Sequence, residues 1–239
     1  MADDPHTPDD RTTLPLPTRA SDRIVSGRTN DLYRHALPTF IGHNSDRKIC
    51  VPPTASDFST WVNQDTATIT DVDDGCYLTR AAKGSGDSLH CRVRSLVGSA
   101  WDVRVGVICG YAMKQYFGTG LVLRESATGK LNSWQLGHGD AGGPLNVWWN
   151  SPTSFQQTRY NPSSQAGSSL NKLWFRVRKN GSTLEYYTSP DGSDWTLDTT
   201  EAATGLWTSA PNQWGIFINT NNNATPNLVV RADFIDWAE

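Results

Sequence analysis

Carboxylates are the first place to look for chemistry in this sequence. Acid–base cleavage of a glycosidic bond needs two of them, about 5–9 Å apart across a cleft. The chain has only four glutamates, Glu125, Glu185, Glu201 and Glu239. None has a second carboxylate two residues away, the spacing that puts both on one face of a strand. Asp233 and Asp236 flank Phe234 and Ile235, and strict alternation sends them to opposite faces. A serine nucleophile on an elbow needs G-x-S-x-G, whereas KGSGDS at 83–88 reads as a hairpin loop. Of the five histidines, only His138 stands beside a carboxylate, Asp140, in LGHGDAGG. A turn capped by Asp140 accounts for that pair without catalysis or a metal. The cysteines Cys50, Cys76, Cys91 and Cys109 lack the paired spacing of a zinc site. They read as free thiols acting as small hydrophobes, Cys109 sharing a strand phase with Val105 and Val107. No catalytic residue and no cofactor is expected.

A set of aromatic and polar residues is the stronger constellation. Sugars are held by rings stacked on their C–H faces and by fixed polar groups that read their hydroxyls. Trp134, Trp148, Trp174, Arg176 and Tyr187 supply both, provided that they share an outward face. Alternation phases the strands that carry them. Leu173, Phe175 and Val177 take one side of their strand, and Trp174, Arg176 and Arg178 the other. Leu145, Val147 and Trp149 are set inward, which turns Asn146, Trp148 and Asn150 outward. Leu184 and Tyr186 look in, Glu185 and Tyr187 out. The outward set is expected to bind a glycan or a neighbouring subunit. Core filling competes, since a slip of one residue exchanges the faces.

The elements that must position these residues are strands. The chain has 239 residues, 20 Gly, 13 Pro and 10 Trp. Such a richness in turn formers and aromatics favours an all-β fold. A net charge of -3 gives no footprint for nucleic acid or an anionic membrane, and no apolar run approaches the ~20 residues of a membrane span. Residues 1–57 carry prolines without periodicity, most densely in 1–30, and are expected to form an extended arm and docking segment. Their start is acidic, with neither the basic nor the apolar region of a secretory signal. Residues 58–239 hold eleven expected strands, near 67–72, 75–82, 88–95, 101–112, 116–124, 130–137, 144–150, 173–179, 183–188, 213–219 and 227–237. The sharpest turn is KNGS at 179–182, expected to be type I′ with Asn180 and Gly181 at its centre. SPDGSDW at 189–195 is a second turn.

The run YFGTGLVLRESATGKL, LNVWWNSPTSF, LWFRVRKNGSTLEYYTSPDGSDW, APNQWGIFIN and ADFIDW resembles the concanavalin-A-like jelly roll of the lectin/glucanase and laminin-G type. The most diagnostic piece is the hairpin followed by an S-x-DG-x-x-W turn, which returns an aromatic to the sheet. The resemblance implies a two-sheet antiparallel jelly-roll sandwich over 58–239, preceded by the arm. Hydrolases of that type carry E-x-D-x-x-E on one strand, and this chain lacks it. Laminin-G domains often hold calcium, for which Asp71, Asp73 and Asp74 are a candidate oxygen set; the metal is left unassigned. The whole chain also resembles virion structural proteins of tailed bacteriophages, of tail-fibre, decoration or head-fibre type. That implies a non-enzymatic virion component assembled in the host cytoplasm. Its partners would be other virion subunits, copies of itself (a trimer favoured) and a host surface glycan, with no nucleic acid or membrane. The alternatives are a free carbohydrate-binding module or lectin, and a glycan depolymerase.

Overall fold

A computed structural model describes residues 51–81, 86–109, 117–138, 143–162, 172–220 and 229–239. Their strands are β1 (Thr60–Val62), β2 (Thr68–Val72), β3 (Gly75–Ala81), β4 (Leu89–Ser95), β5 (Asp102–Cys109), β6 (Phe117–Arg124) and β7 (Leu131–His138). There follow β8 (Pro144–Ser151), β9 (Ser154–Tyr160), β10 (Lys172–Asn180), β11 (Thr183–Ser189), β12 (Thr196–Ala202), β13 (Gln213–Thr220) and β14 (Val229–Ala238). They form two seven-stranded antiparallel sheets. Sheet I has the order β1-β4-β13-β6-β7-β8-β9, and sheet II the order β12-β11-β10-β5-β14-β3-β2. Among the described residues there is no helix.

Every expected strand has a counterpart. The expected strand at 101–112 is described as far as Cys109, and residues 110–116 lie outside the described residues, as do 1–50 of the arm. Residues 51–57 are bonded to the sandwich: Val51 bridges Trp237 of β14, and Ala55 N–H donates to Asp71 Oδ1. Three strands were not foreseen: β1, β9 and β12. Each is an edge strand. An edge exposed on both faces has no need to alternate, and SFQQTRY and TLDTTEA are mostly exposed.

The core between the sheets follows the alternation of sheet II. Leu173, Phe175 and Val177 of β10 meet Val103, Val105 and Val107 of β5 and Leu184 and Tyr186 of β11, all at 5% exposure or less. Sheet I contributes Leu121, Leu123, Trp134, Trp214, Ile216 and Ile218. Full burial of each such side chain contributes about 1.5–3 kcal/mol.

Sheet I departs from the sequence reading at β8. Asn146 and Trp148 point between the sheets, and Leu145, Val147 and Trp149 point away from them. Together with Leu89, Cys91, Val93, Val122, Leu131 and Phe217, Val147 and Trp149 form a second buried apolar cluster on the outer face of sheet I, and Leu145 packs against it. Alternation fixes that face, since Phe217 lies between the inward Ile216 and Ile218. Sheet I is apolar on both sides here, so alternation alone could not choose between them.

The β10–β11 hairpin forms where KNGS placed it, but its register pairs Asn180 with Thr183. The two loop residues are therefore Gly181 and Ser182. Only the first is left-handed, with φ of 59°, the pattern of a type II′ turn rather than type I′. The phase of both strands survives this correction.

A bulge makes the other change. In the β14–β5 register Asp233 faces Ile108 and Asp236 faces Gly106, with a shift between Phe234 and Asp236. The extra residue, Ile235, returns Asp236 to the side of Asp233. Both aspartates therefore lie on the outer face of sheet II, against the strict alternation expected.

Candidate functional site

The outer face of sheet II is polar because β5, β10 and β11 alternate so cleanly. Arg176 stands at its centre on β10. Its Nε and Nη2 donate to Asp102 Oδ1 and Oδ2 at 2.8 and 2.5 Å, a bidentate fork that adds direction to charge. These bonds push Arg176 above its ordinary pKa. The guanidinium also lies 5.2 Å from the ring centre of Tyr187 and 5.6 Å from that of Trp195. Beside it, Glu185 accepts from Tyr187 O–H at 2.8 Å and from Asn180 Nδ2 at 3.0 Å. Those bonds hold its carboxyl below the usual range. Arg176, Tyr187, Trp195, Asp102 and Glu185 are all half-buried. A ligand laid on the face meets rings, a fixed guanidinium and two carboxylates.

Trp195 is delivered by the Ser189–Trp195 turn. Asp191 Oδ1 accepts from Ser189 Oγ (2.9 Å), Ser193 N–H (2.7 Å) and Asp194 N–H (3.0 Å). Ser189 Oγ in turn accepts from Gly192 N–H at 2.9 Å. Gly192, with φ of 78°, lies so near Trp174 that an added Cβ would sit 2.8 Å from its Nε1. Gly106 of β5 approaches the same indole, its Cβ position 2.5 Å from Nε1. Trp174 is clasped between the two glycines, and its N–H donates to Asp236 Oδ2 at 3.4 Å.

The five residues nominated from sequence therefore do not share a face. Arg176 and Tyr187 come together as expected. Trp174 is on the same face but only 7% exposed, so it supports the site from beneath. Trp134 is 0% exposed, sits between the sheets and donates to the Tyr187 carbonyl at 2.8 Å. Trp148 also points between the sheets. Sequence reasoning missed Asp102, Glu185 and Trp195 as members. For Trp195 the S-x-DG-x-x-W turn was the available signal; for Asp102 and Glu185 it was their register beside Arg176 and Arg178.

Trp148 belongs to a separate polar cluster between β7, β8, β11 and β12. Its Nε1 donates to Glu201 Oε2 at 2.9 Å, and Asn132 Nδ2 reaches Oε1 at 3.3 Å. Tyr186 O–H donates to the same carboxylate. Burial pushes Glu201 up, in spite of these donors. Arg159 stacks on Trp148 at 4.3 Å. Glu125 shows the opposite balance. Burial alone would raise its pKa, but Thr128 Oγ1, Ser209 N–H, Ser209 Oγ and Thr208 N–H all donate to it at 2.5–3.3 Å. They bring it down to about 2.

Ser88 and His90 form a third polar group. His90 Nε2 is 3.0 Å from Ser88 Oγ, and Nδ1 is 2.7 Å from the Asn63 carbonyl. With Ser88 at 3% and His90 at 0% exposure, the pair ties β4 to the β1–β2 turn. Burial pushes His90 below its ordinary pKa. Asp140 and the side chain of His138 lie outside the described residues. Among those described, no group of three His, Cys, Asp or Glu side chains is placed to hold a metal. Asp71 of the calcium expectation accepts from Ala55 N–H at 2.5 Å.

No family model matches the chain, and no curated protein matches it. Solved structures do. A functionally unknown protein from Saccharomyces cerevisiae matches with a TM-score of 0.50 at 18% identity, over 75% of this chain and 94% of that one. The fold is a jelly-roll sandwich. The GH43 protein BlXynB (mutant K247S) from Bacillus licheniformis matches with a TM-score of 0.47 at 13% identity, over 74% of this chain and 38% of that one. The carbohydrate binding module CBM66 from Bacillus subtilis matches with 0.38 at 12%, over 75% and 95%. At such identities the likeness extends to fold alone. Nothing in these neighbours points to a virion protein.

Proposed function

We propose that this chain is a lectin-like carbohydrate-binding module that binds with the outer face of sheet II and cleaves nothing. The observation that carries this is Arg176, locked by Asp102 between the rings of Tyr187 and Trp195. Rings stack on the C–H faces of a sugar, and a guanidinium that cannot swing away reads its hydroxyls with little ordering cost. A free module fits this face better than the virion reading, for which no observation speaks. The test is a glycan microarray with the full chain. Wild type is expected to bind a defined set of glycans. Trp195→Ala and Tyr187→Ala should each weaken that binding about 10-fold or more, the cost of about 1–3 kcal/mol for a lost stacking ring, with little change in melting temperature. Binding that survives both substitutions would remove this face as the site. Release of reducing sugar from a bound glycan, lost in Asp236→Asn, would make the protein a hydrolase instead.

A further inference from the structure

We infer that the ligand of this face is a neutral, hydroxyl-rich glycan and not a polyuronate or sulfated one; the inference rests on the binding reading above and narrows it. A guanidinium takes an acidic sugar by the same two-point fork with which it takes a side-chain carboxylate. On Arg176 the Nε–Nη2 fork is already filled, both donors given to Asp102, and an acid that reaches the remaining N–H groups meets the Asp102 carboxylate beside them. The next guanidinium on β10, Arg178, lies between Glu185 of β11 and Asp102 of β5 in register, and Arg104 of β5 lies opposite Arg176 itself. An incoming uronate or sulfate would meet a guanidinium whose charge is already met, flanked by Asp102 and Glu185. Like charge at that range repels. What the face still offers is acceptor capacity, because each carboxylate oxygen takes more than one hydrogen bond. Hydroxyl donors on an uncharged sugar fit that need, while Tyr187 and Trp195 take its C–H faces.

The experiment compares xylan, mannan and β-glucan oligosaccharides with polygalacturonate and alginate oligosaccharides, by calorimetry at low and at high salt. Wild type is expected to bind a neutral oligosaccharide, with affinity changing less than about twofold between the salts, since no counterion-dependent contact forms. Asp102→Asn opens the fork of Arg176 and is expected to gain binding to polygalacturonate that falls steeply with salt. Wild-type binding confined to the acidic oligosaccharides overturns this inference and leaves the binding reading standing. Absence of binding to every probe removes the binding reading and this one with it. The wild-type salt series decides the matter even if Asp102→Asn does not fold.

Discussion

Glu125 and Glu201 each accept several hydrogen bonds, yet the balance of those donors against burial has opposite sign at the two. Glu125 is held down to about 2, so its contribution to stability is present above its ordinary value of 4.5. That contribution is lost as pH falls from there towards 2. Glu125→Gln is expected to cost about 1–3 kcal/mol at neutral pH, as donors lose a charged acceptor, and to flatten the acid limb of a urea-midpoint profile. Glu201 is pushed up by burial. The stability it confers is full below the ordinary carboxylate value and falls as pH rises through its raised one. Glu201→Gln should therefore lose little at pH 7 and remove that decline from the same profile. Trp174 corrects an expectation. Sequence phasing made it an exposed ligand contact, but at 7% exposure between two glycines its truncation to Ala should cost about 3–5 kcal/mol. A melting temperature near wild type would return it to the surface.

At the scale of elements, turn chemistry and bulges decide what alternation can tell. β10 and β11 were legible because sheet II is apolar on one side only, so Leu173, Phe175 and Val177 had a single place to go. The hairpin was legible as well, but its centre was read one residue early, since Asn180 and Gly181 both tolerate positive φ. The register decides for Gly181, at φ of 59° with no atom within 4 Å of an added Cβ. Gly181→Val should then cost about 1–3 kcal/mol through backbone strain alone. Asn180→Ala should cost less, because its backbone is that of an ordinary strand residue. Equal losses at the two positions, measured by urea unfolding, would restore the earlier turn. The bulge at Ile235 left no mark in ADFIDW, because nothing in a sequence of alternating types announces one extra residue.

Across the whole molecule, sheet I was the harder half to read because it is apolar on both sides. Leu131, Val147 and Trp149 lie outside while Trp134, Leu136 and Trp148 lie inside. Every second residue of β8 could have been core, and the ambiguity moved Trp148 into the wrong set. Edge strands β1, β9 and β12 were invisible for the opposite reason, having too little apolar content to alternate. The two clusters make a measurable claim. Phe175 of the inter-sheet core and Phe217 of the outer cluster are both fully buried. Truncating either to Ala should cost a similar amount, about 3–5 kcal/mol. A much smaller loss at Phe217 would show that the outer face of sheet I adds little to the stability of the sandwich.

The ten tryptophans also divide in a way that concerns light rather than binding energy. Seven are buried. The three half-buried ones each have an arginine guanidinium near the ring, Arg92 at Trp61, Arg94 at Trp237 and Arg176 at Trp195, at 5.0, 4.7 and 5.6 Å. Trp61 and Trp237 also pack against the inter-sheet core, whereas Trp195 stands at the end of an exposed turn. Red-edge emission and acrylamide quenching of the native protein should therefore come chiefly from that one indole. The fold thus carries its own optical gauge, in which a ring laid over Trp195 shifts emission to the blue without any added dye.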